Sequence, residues 1–194
     1  LAQLTRMEST FTRQDLARAV SAATDTAEAF TKLMAQVEAS PELMVAPLDK
    51  ERLSTRTMVR TEEEMARAAD TMAASYGHPI RGVVERAEAA RHLSDEQKAA
   101  LIHVTGATGI ACVVGYAGTG KSTMLGAARE MWEASGYTVR GLALAGIAAE
   151  NLEGGSGIAS TTLSAFEWQL QHGRAELGKK DVLVIDEAGM IGSR

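Results

Sequence analysis

The stretch Gly115-Tyr116-Ala117-Gly118-Thr119-Gly120-Lys121-Ser122 decides how this chain is read. It fits the pattern G-x-x-x-x-G-K-[ST] and follows the apolar run Ile110-Ala111-Cys112-Val113-Val114. That context predicts a turn between a short buried strand and a helix. Glycines at 115, 118 and 120 let backbone N–H groups converge on a pyrophosphate with no Cβ in the way. The helix that starts near Lys121 adds its positive amino end. In that arrangement Lys121 reaches the β- and γ-phosphates of a nucleoside triphosphate, and the Ser122 hydroxyl completes a Mg²⁺ shell. Thr119, inside the same turn, is expected to contact the phosphates with Lys121, and Thr123 to belong to the same nucleotide-binding set.

Outward from this loop, strand and helix alternate, the pattern of a parallel α/β sheet. A helix is expected from Ser122 to about Ser135, ended by Gly136. Tyr137–Leu144 reads as a strand, Ile147–Leu152 as a short helix, and Gly154-Gly155-Ser156-Gly157 as a flexible loop. Leu163–Gln171 reads as a helix with Phe166 and Leu170 inward. Val182-Leu183-Val184-Ile185 then reads as a second buried strand, delivering Asp186-Glu187 at its carboxyl end. An open α/β sheet places its ligand there. Downstream of a phosphate loop, Asp186 is the expected Mg²⁺ partner and Glu187 the group that aligns the water attacking the γ-phosphate.

Ser94 and Gln97, in Leu93-Ser94-Asp95-Glu96-Gln97, satisfy the capping-box rule for a helix start. A glutamine amide also matches the donor and acceptor edges of adenine. Spacing alone leaves both readings open.

The first half predicts a small, mostly helical domain. Thr12 with Asp15 forms a cap pair, and Phe11 with Leu16 a hydrophobic staple, opening a helix over 13–23. Asp25 with Glu28 repeats the cap pattern. Phe30, Leu33, Met34 and Val37 then share one face of a helix ending before Pro41. Leu43–Val45 and Leu53–Val59 are expected strands of a hairpin around Asp49-Lys50-Glu51. Two helices and a hairpin suggest a winged-helix-like unit, and Lys50, Arg52, Arg56 and Arg60 make that hairpin locally basic. Thr61 with Glu64 is expected to cap a further helix with Met65, Ala68, Ala69 and Met72 inward. Gly77-His78-Pro79 breaks the pattern; His78 reads as a turn residue without a partner. The domains are therefore placed at 1–80 and 93–194, with 81–92 as linker.

Composition excludes several classes. The 194 residues are 45% hydrophobic and 23% charged, ordinary for a globular protein. Aromatics make up 4%, so the cores must be built from aliphatics and the nine methionines. The net charge of −5 argues against a basic nucleic-acid coat. No run approaches the roughly 18 apolar residues of a membrane span and no signal peptide opens the chain, so membrane insertion is not expected and a cytoplasmic location is. The single Cys112 reads as a small buried hydrophobe. A start at Leu1 and a stop at Arg194, soon after an obvious motif, read as an internal fragment.

Resemblance sharpens this. Ser94-Asp95-Glu96-Gln97-Lys98-Ala99-Ala100 is similar to the adenine-recognising glutamine motif of superfamily 1 helicases. Gly115–Thr123, Ala145-Gly146-Ile147-Ala148-Ala149, Thr161-Thr162-Leu163 and Asp186-Glu187-Ala188-Gly189-Met190 resemble motifs I, Ia, Ib and II of the RecD-like branch. The wording Gly115–Leu125 with Gly146–Leu152 resembles the helicase region of TraA-type conjugative relaxases. The resemblance implies a RecA-like P-loop domain, the first and partial half of a motor that uses ATP and Mg²⁺ to move 5′→3′ along single-stranded DNA. The conjugative transfer machinery is the implied partner. It assigns adenine to Gln97, and DNA contact to the backbone at Ala145 and Gly146 and the hydroxyls of Thr161 and Thr162; plain loop and cap duty is the alternative for those residues. A nuclease constellation of one tyrosine and three histidines is not placed here, since His78, His92, His103 and His172 are scattered. Nor are the second motor domain and its arginine finger. A finger is worth on the order of 10³ in rate, so this piece alone is expected to hydrolyse ATP poorly. Two rivals remain: a P-loop phosphotransferase or switch ATPase without nucleic acid, and a non-enzymatic docking module working through the helical half.

Overall fold

The computed structural model describes residues 1–5, 8–90, 92–116 and 118–192. Ala117 of the phosphate loop, Arg91 of the expected linker, and Ser193 and Arg194 lie outside them. The chain divides into two units, Leu1–Ala68 and Ala69–Ile191. The division falls inside one long helix.

The first unit runs α1 (Arg13–Ala22), α2 (Ala27–Glu38), β1 (Leu43–Val45), β2 (Leu53–Thr55) and the start of α3 (Arg56–Ala74). Thr12 caps α1 as expected: its hydroxyl accepts from Asp15 N, and the Asp15 carboxylate accepts from Thr12 N. Phe11 and Leu16 are both buried in one cluster with Val20 and Leu53, and Phe30, Leu33, Met34 and Val37 pack against it. The cap of α2 is Thr26, not Asp25; its hydroxyl accepts from Ala29 N. β1 and β2 form the expected antiparallel hairpin, from Leu43 opposite Thr55 to Val45 opposite Leu53.

The second strand stops earlier than expected, because Thr55 turns the chain into α3 by accepting from Met58 N. Thr61 therefore lies within α3 rather than capping it. The α3 face bearing Met65, Ala68, Ala69 and Met72 is exposed, Met65 by half. Helical spacing identifies a stripe; it does not supply the surface that covers it.

The second unit holds α4 (Val83–Ala89), α5 (Asp95–Val104), α6 (Lys121–Ala134), β3 (Thr138–Ala143), α7 (Gly146–Ser156), β4 (Ser160–Thr162), α8 (Leu163–Gln171), β5 (Asp181–Ile185) and a 3-10 turn, Ala188–Met190. The sheet is parallel in the order β4-β3-β5. Its register runs from Gly141 opposite Ser160 to Ala143 opposite Thr162, and from Thr138 opposite Asp181 to Leu142 opposite Ile185. Leu101, Met124, Ala128, Met131, Trp132, Val139, Ile158 and Val182 form the core with Ala87 of α4, inside the segment read as linker. Apart from Trp132 it is an aliphatic and methionine core, as the scarcity of aromatics implies.

Four expectations are corrected here. Ile110–Val114 is not a strand: among the described residues it pairs with nothing in the sheet. Exposure alternates along it, with Ala111 and Val113 half-buried and Ile110, Cys112 and Val114 exposed. Cys112 is therefore not a buried hydrophobe. β-propensity marks residues that suit a pleated surface, but a ladder partner makes the strand. Gly154-Gly155-Ser156 is not a loop either; these residues complete α7, whose left-handed cap is Gly157 at φ +69°. Ser156 is the reason, for its hydroxyl donates to Leu152 O and accepts from Ile158 N in a buried turn. His78 does find partners: its ring meets Tyr137 edge-on at 4.9 Å, and Nε2 lies 3.2 Å from Lys179 O.

Candidate functional site

α6 begins without a side-chain cap. Its N-cap is Gly120, at φ +76°, which has no side chain to offer its first-turn amides, and that turn carries no acidic residue. A 14-residue helix so exposed at its amino end presents N–H groups and a positive dipole to an anion. Gly118, at φ +79°, takes the same left-handed conformation. Only glycine adopts it cheaply, so both residues are needed to bend the loop onto the helix end. This donor set fits a phosphate tail.

The Lys121 ammonium is folded into the loop, donating to Gly115 O at 2.7 Å and Tyr116 O at 3.0 Å. An ammonium has three N–H groups, so one remains for a further acceptor. Thr119 braces the same turn by donating its hydroxyl to Tyr116 O at 2.8 Å. Ser122 is half-buried in the first turn of α6, while Thr123 faces solvent.

Gln97 is engaged twice. Its Oε1 accepts from Ser94 N at 2.9 Å, and its own N–H donates to Ser94 Oγ, the complete capping box of α5. Its Nε2 donates to Thr119 O at 3.0 Å and approaches Gly120 O at 3.4 Å. The cap and the loop are thus tied by one side chain. Oε1 retains a lone pair for another partner.

The parallel sheet brings the other expected residues to one edge. β4 ends at Thr161-Thr162, and Ala145-Gly146 and Asp186-Glu187 follow the carboxyl ends of β3 and β5 there. Asp186 N continues the ladder to Leu142 O at 2.9 Å, and its Oδ1 accepts from Glu187 N at 3.0 Å. Glu187, at φ +50°, is the one non-glycine with positive φ among the described residues. Such strain costs of the order of 1–3 kcal/mol and gathers where geometry serves function. The sequence carries no sign of it.

Ala145 and Gly146 are exposed at the amino end of α7, with no side-chain cap. Thr161 and Thr162 are half-buried. The Thr162 hydroxyl caps α8 by accepting from Ala165 N at 3.2 Å, the plain duty foreseen for it. Its proton is still available to donate.

At the opposite end of the sheet, Asp181 accepts from Gly178 N at 2.8 Å and from Arg140 Nε at 3.0 Å. The Gly178 amide first and Arg140 second hold its carboxyl below the ordinary aspartate range. Among the described residues no cluster of His, Cys, Asp and Glu could hold a metal by itself. One hydroxyl and one carboxylate suit only a cation that keeps most of its shell from water and phosphate, as Mg²⁺ does.

Comparison with known proteins shows the family. The profile of a family described as "AAA domain" matches residues 92–194. Over 98% of its length the chain is 44% identical to the "Probable conjugal transfer protein TraA" of Sinorhizobium fredii (strain NBRC 101917 / NGR234). Over 97% of its length it is 41% identical to the "Conjugal transfer protein TraA" of Agrobacterium fabrum (strain C58 / ATCC 33970). The chain spans 18% of the length of each of these relatives.

Proposed function

The chain belongs to the AAA domain family, and from that premise we propose that it is the nucleotide-binding part of a DNA helicase motor acting in conjugal transfer. In the intact protein this motor moves 5′→3′ along single-stranded DNA at the expense of ATP. The observation that carries the reading is the loop: two glycines at positive φ deliver an uncapped helix end, with the Lys121 ammonium beside it. Relatives named for conjugal transfer support the biological setting.

Each residue has a role in this reading. Gly115, Gly118, Thr119 and Gly120 shape the backbone around the phosphates. Lys121 turns its remaining N–H toward the γ-phosphate and offsets charge there. Ser122 and, through water, Asp186 would hold Mg²⁺, which would supply positive charge against the phosphates. Glu187 accepts a proton from the attacking water and orients it. Gln97 reads adenine with its spare lone pair while staying bonded to the loop. The backbone at Ala145-Gly146 and the Thr161 and Thr162 hydroxyls face the DNA strand from the same sheet edge. Arginine from a second motor domain completes the charge balance at transfer.

ATPase assays on the full-length protein test this. Hydrolysis is expected to rise on adding single-stranded DNA, and Lys121→Ala to lower kcat/KM by about 100-fold or more. Hydrolysis with no response to any single strand sinks the motor and leaves a nucleotide switch. Wild-type activity in Lys121→Ala sinks the site itself.

A further inference from the structure

The face of α6 that carries Ser122 is pressed against the carboxyl end of α7. Ser122, Gly126 and Arg129 follow at helical spacing, and each meets one of three consecutive residues. A Cβ at Gly155 would sit 2.8 Å from Ser122 Cβ and 3.1 Å from Ser122 Oγ. A Cβ at Gly126 would sit 3.3 Å from Ser156 O. Arg129 Nη1 donates to Gly157 O at 2.7 Å, closing the end of α7. Two glycines inside helices each sacrifice helix propensity, and here the contact explains why. Gly154, one residue away on α7, has nothing within 4 Å of its would-be Cβ. Of the two adjacent glycines inside α7, Gly155 therefore has no room for a side chain against Ser122, and Gly154 does.

We propose that Gly155 is a positioning residue for the Ser122 hydroxyl: its missing Cβ lets α7 close on α6 while leaving Oγ free to face a divalent cation. The proposal rests on the nucleotide-site reading above. α7 is the helix whose first turn carries Ala145-Gly146, so the metal-side hydroxyl and the expected DNA-side backbone belong to one packed helix pair. Any side chain at 155 must push Ser122 aside or part the two helices.

The test uses the full-length protein and N-methylanthraniloyl-ADP, titrated with and without MgCl₂. Magnesium-dependent tightening in the wild type, absent in Lys121→Ala, secures the underlying reading first; its failure there overturns that reading rather than the role of Gly155. Gly155→Ala is then expected to raise the half-saturating Mg²⁺ concentration by about tenfold or more. Affinity in EDTA should move less than about twofold, a split that lost packing alone does not produce. Gly154→Ala should behave as wild type. In a Ser122→Ala background, Gly155→Ala should add no further metal defect. Three results overturn the proposal: an unchanged Mg²⁺ requirement, an equal shift in Gly126→Ala, or a Gly155→Ala chain that fails to fold where Gly126→Ala folds. The last two make Gly155 a packing residue only.

Discussion

Alanine at Gly120 and alanine at Gly118 look alike on the backbone and differ in what they strike. Both glycines sit near φ +78°, at +76° and +79°, so either alanine pays about 1–2 kcal/mol for a left-handed conformation. A Cβ at Gly118 meets nothing within 4 Å, whereas one at Gly120 falls 2.2 Å from Gln97 Nε2. Gln97 must swing away, giving up its bond to Thr119 O and the longer approach to Gly120 O. At about 0.5–1.5 kcal/mol for a neutral hydrogen bond, that adds roughly 1–2 kcal/mol. Gly120→Ala should therefore weaken nucleotide binding about 5- to 30-fold more than Gly118→Ala. Titration of a fluorescent ADP analogue into both variants reads the difference, with melting curves to confirm folding. In a Gln97→Ala background the two alanines should become equal. Equal losses in the wild-type background would refute the idea that Gln97 braces the loop.

Other expectations address the scaffold. Leu142→Ala, at a site 1% exposed in the central strand, should cost about 2–5 kcal/mol in denaturant unfolding; a loss under about 1 kcal/mol contradicts the packing described. Thr12→Ala removes the cap of α1 and should cost about 1 kcal/mol, read as a lower unfolding midpoint with far-UV helicity reduced only in proportion to unfolding. Asp181 is depressed by Gly178 N and Arg140, so its contribution is present above the ordinary aspartate value of about 3.9 and is lost as pH falls below it. Asp181→Asn should flatten the fall in stability between about pH 5 and pH 3; parallel curves for wild type and variant exclude that role.

Helix and strand types were largely legible because they follow from local rules. Thr12-Asp15 and Ser94-Gln97 cap where their spacing predicts. The helix Leu163–Gln171 has the bounds its pattern implies, and Val182–Ile185 reads as the strand that carries Asp186. The misses share a cause. Ile110–Val114 has a strand's residues without a ladder partner. The methionine face of α3 has a core helix's pattern without a cover. Gly154-Gly155-Ser156 looks like a loop until its tertiary neighbours are known.

By itself, the order of residues determined the chemistry on offer: a phosphate loop, an acidic pair after an aliphatic run, a capping glutamine upstream. Those depend on residue type and short spacing, which the chain carries wherever it folds. Only the tertiary structure decided how Gln97 is shared between helix cap and loop, that Glu187 is held at positive φ, and that Gly155 lies against Ser122. The first and last of these join groups from distant segments, and such packing is set by volume and backbone approach that no local pattern encodes.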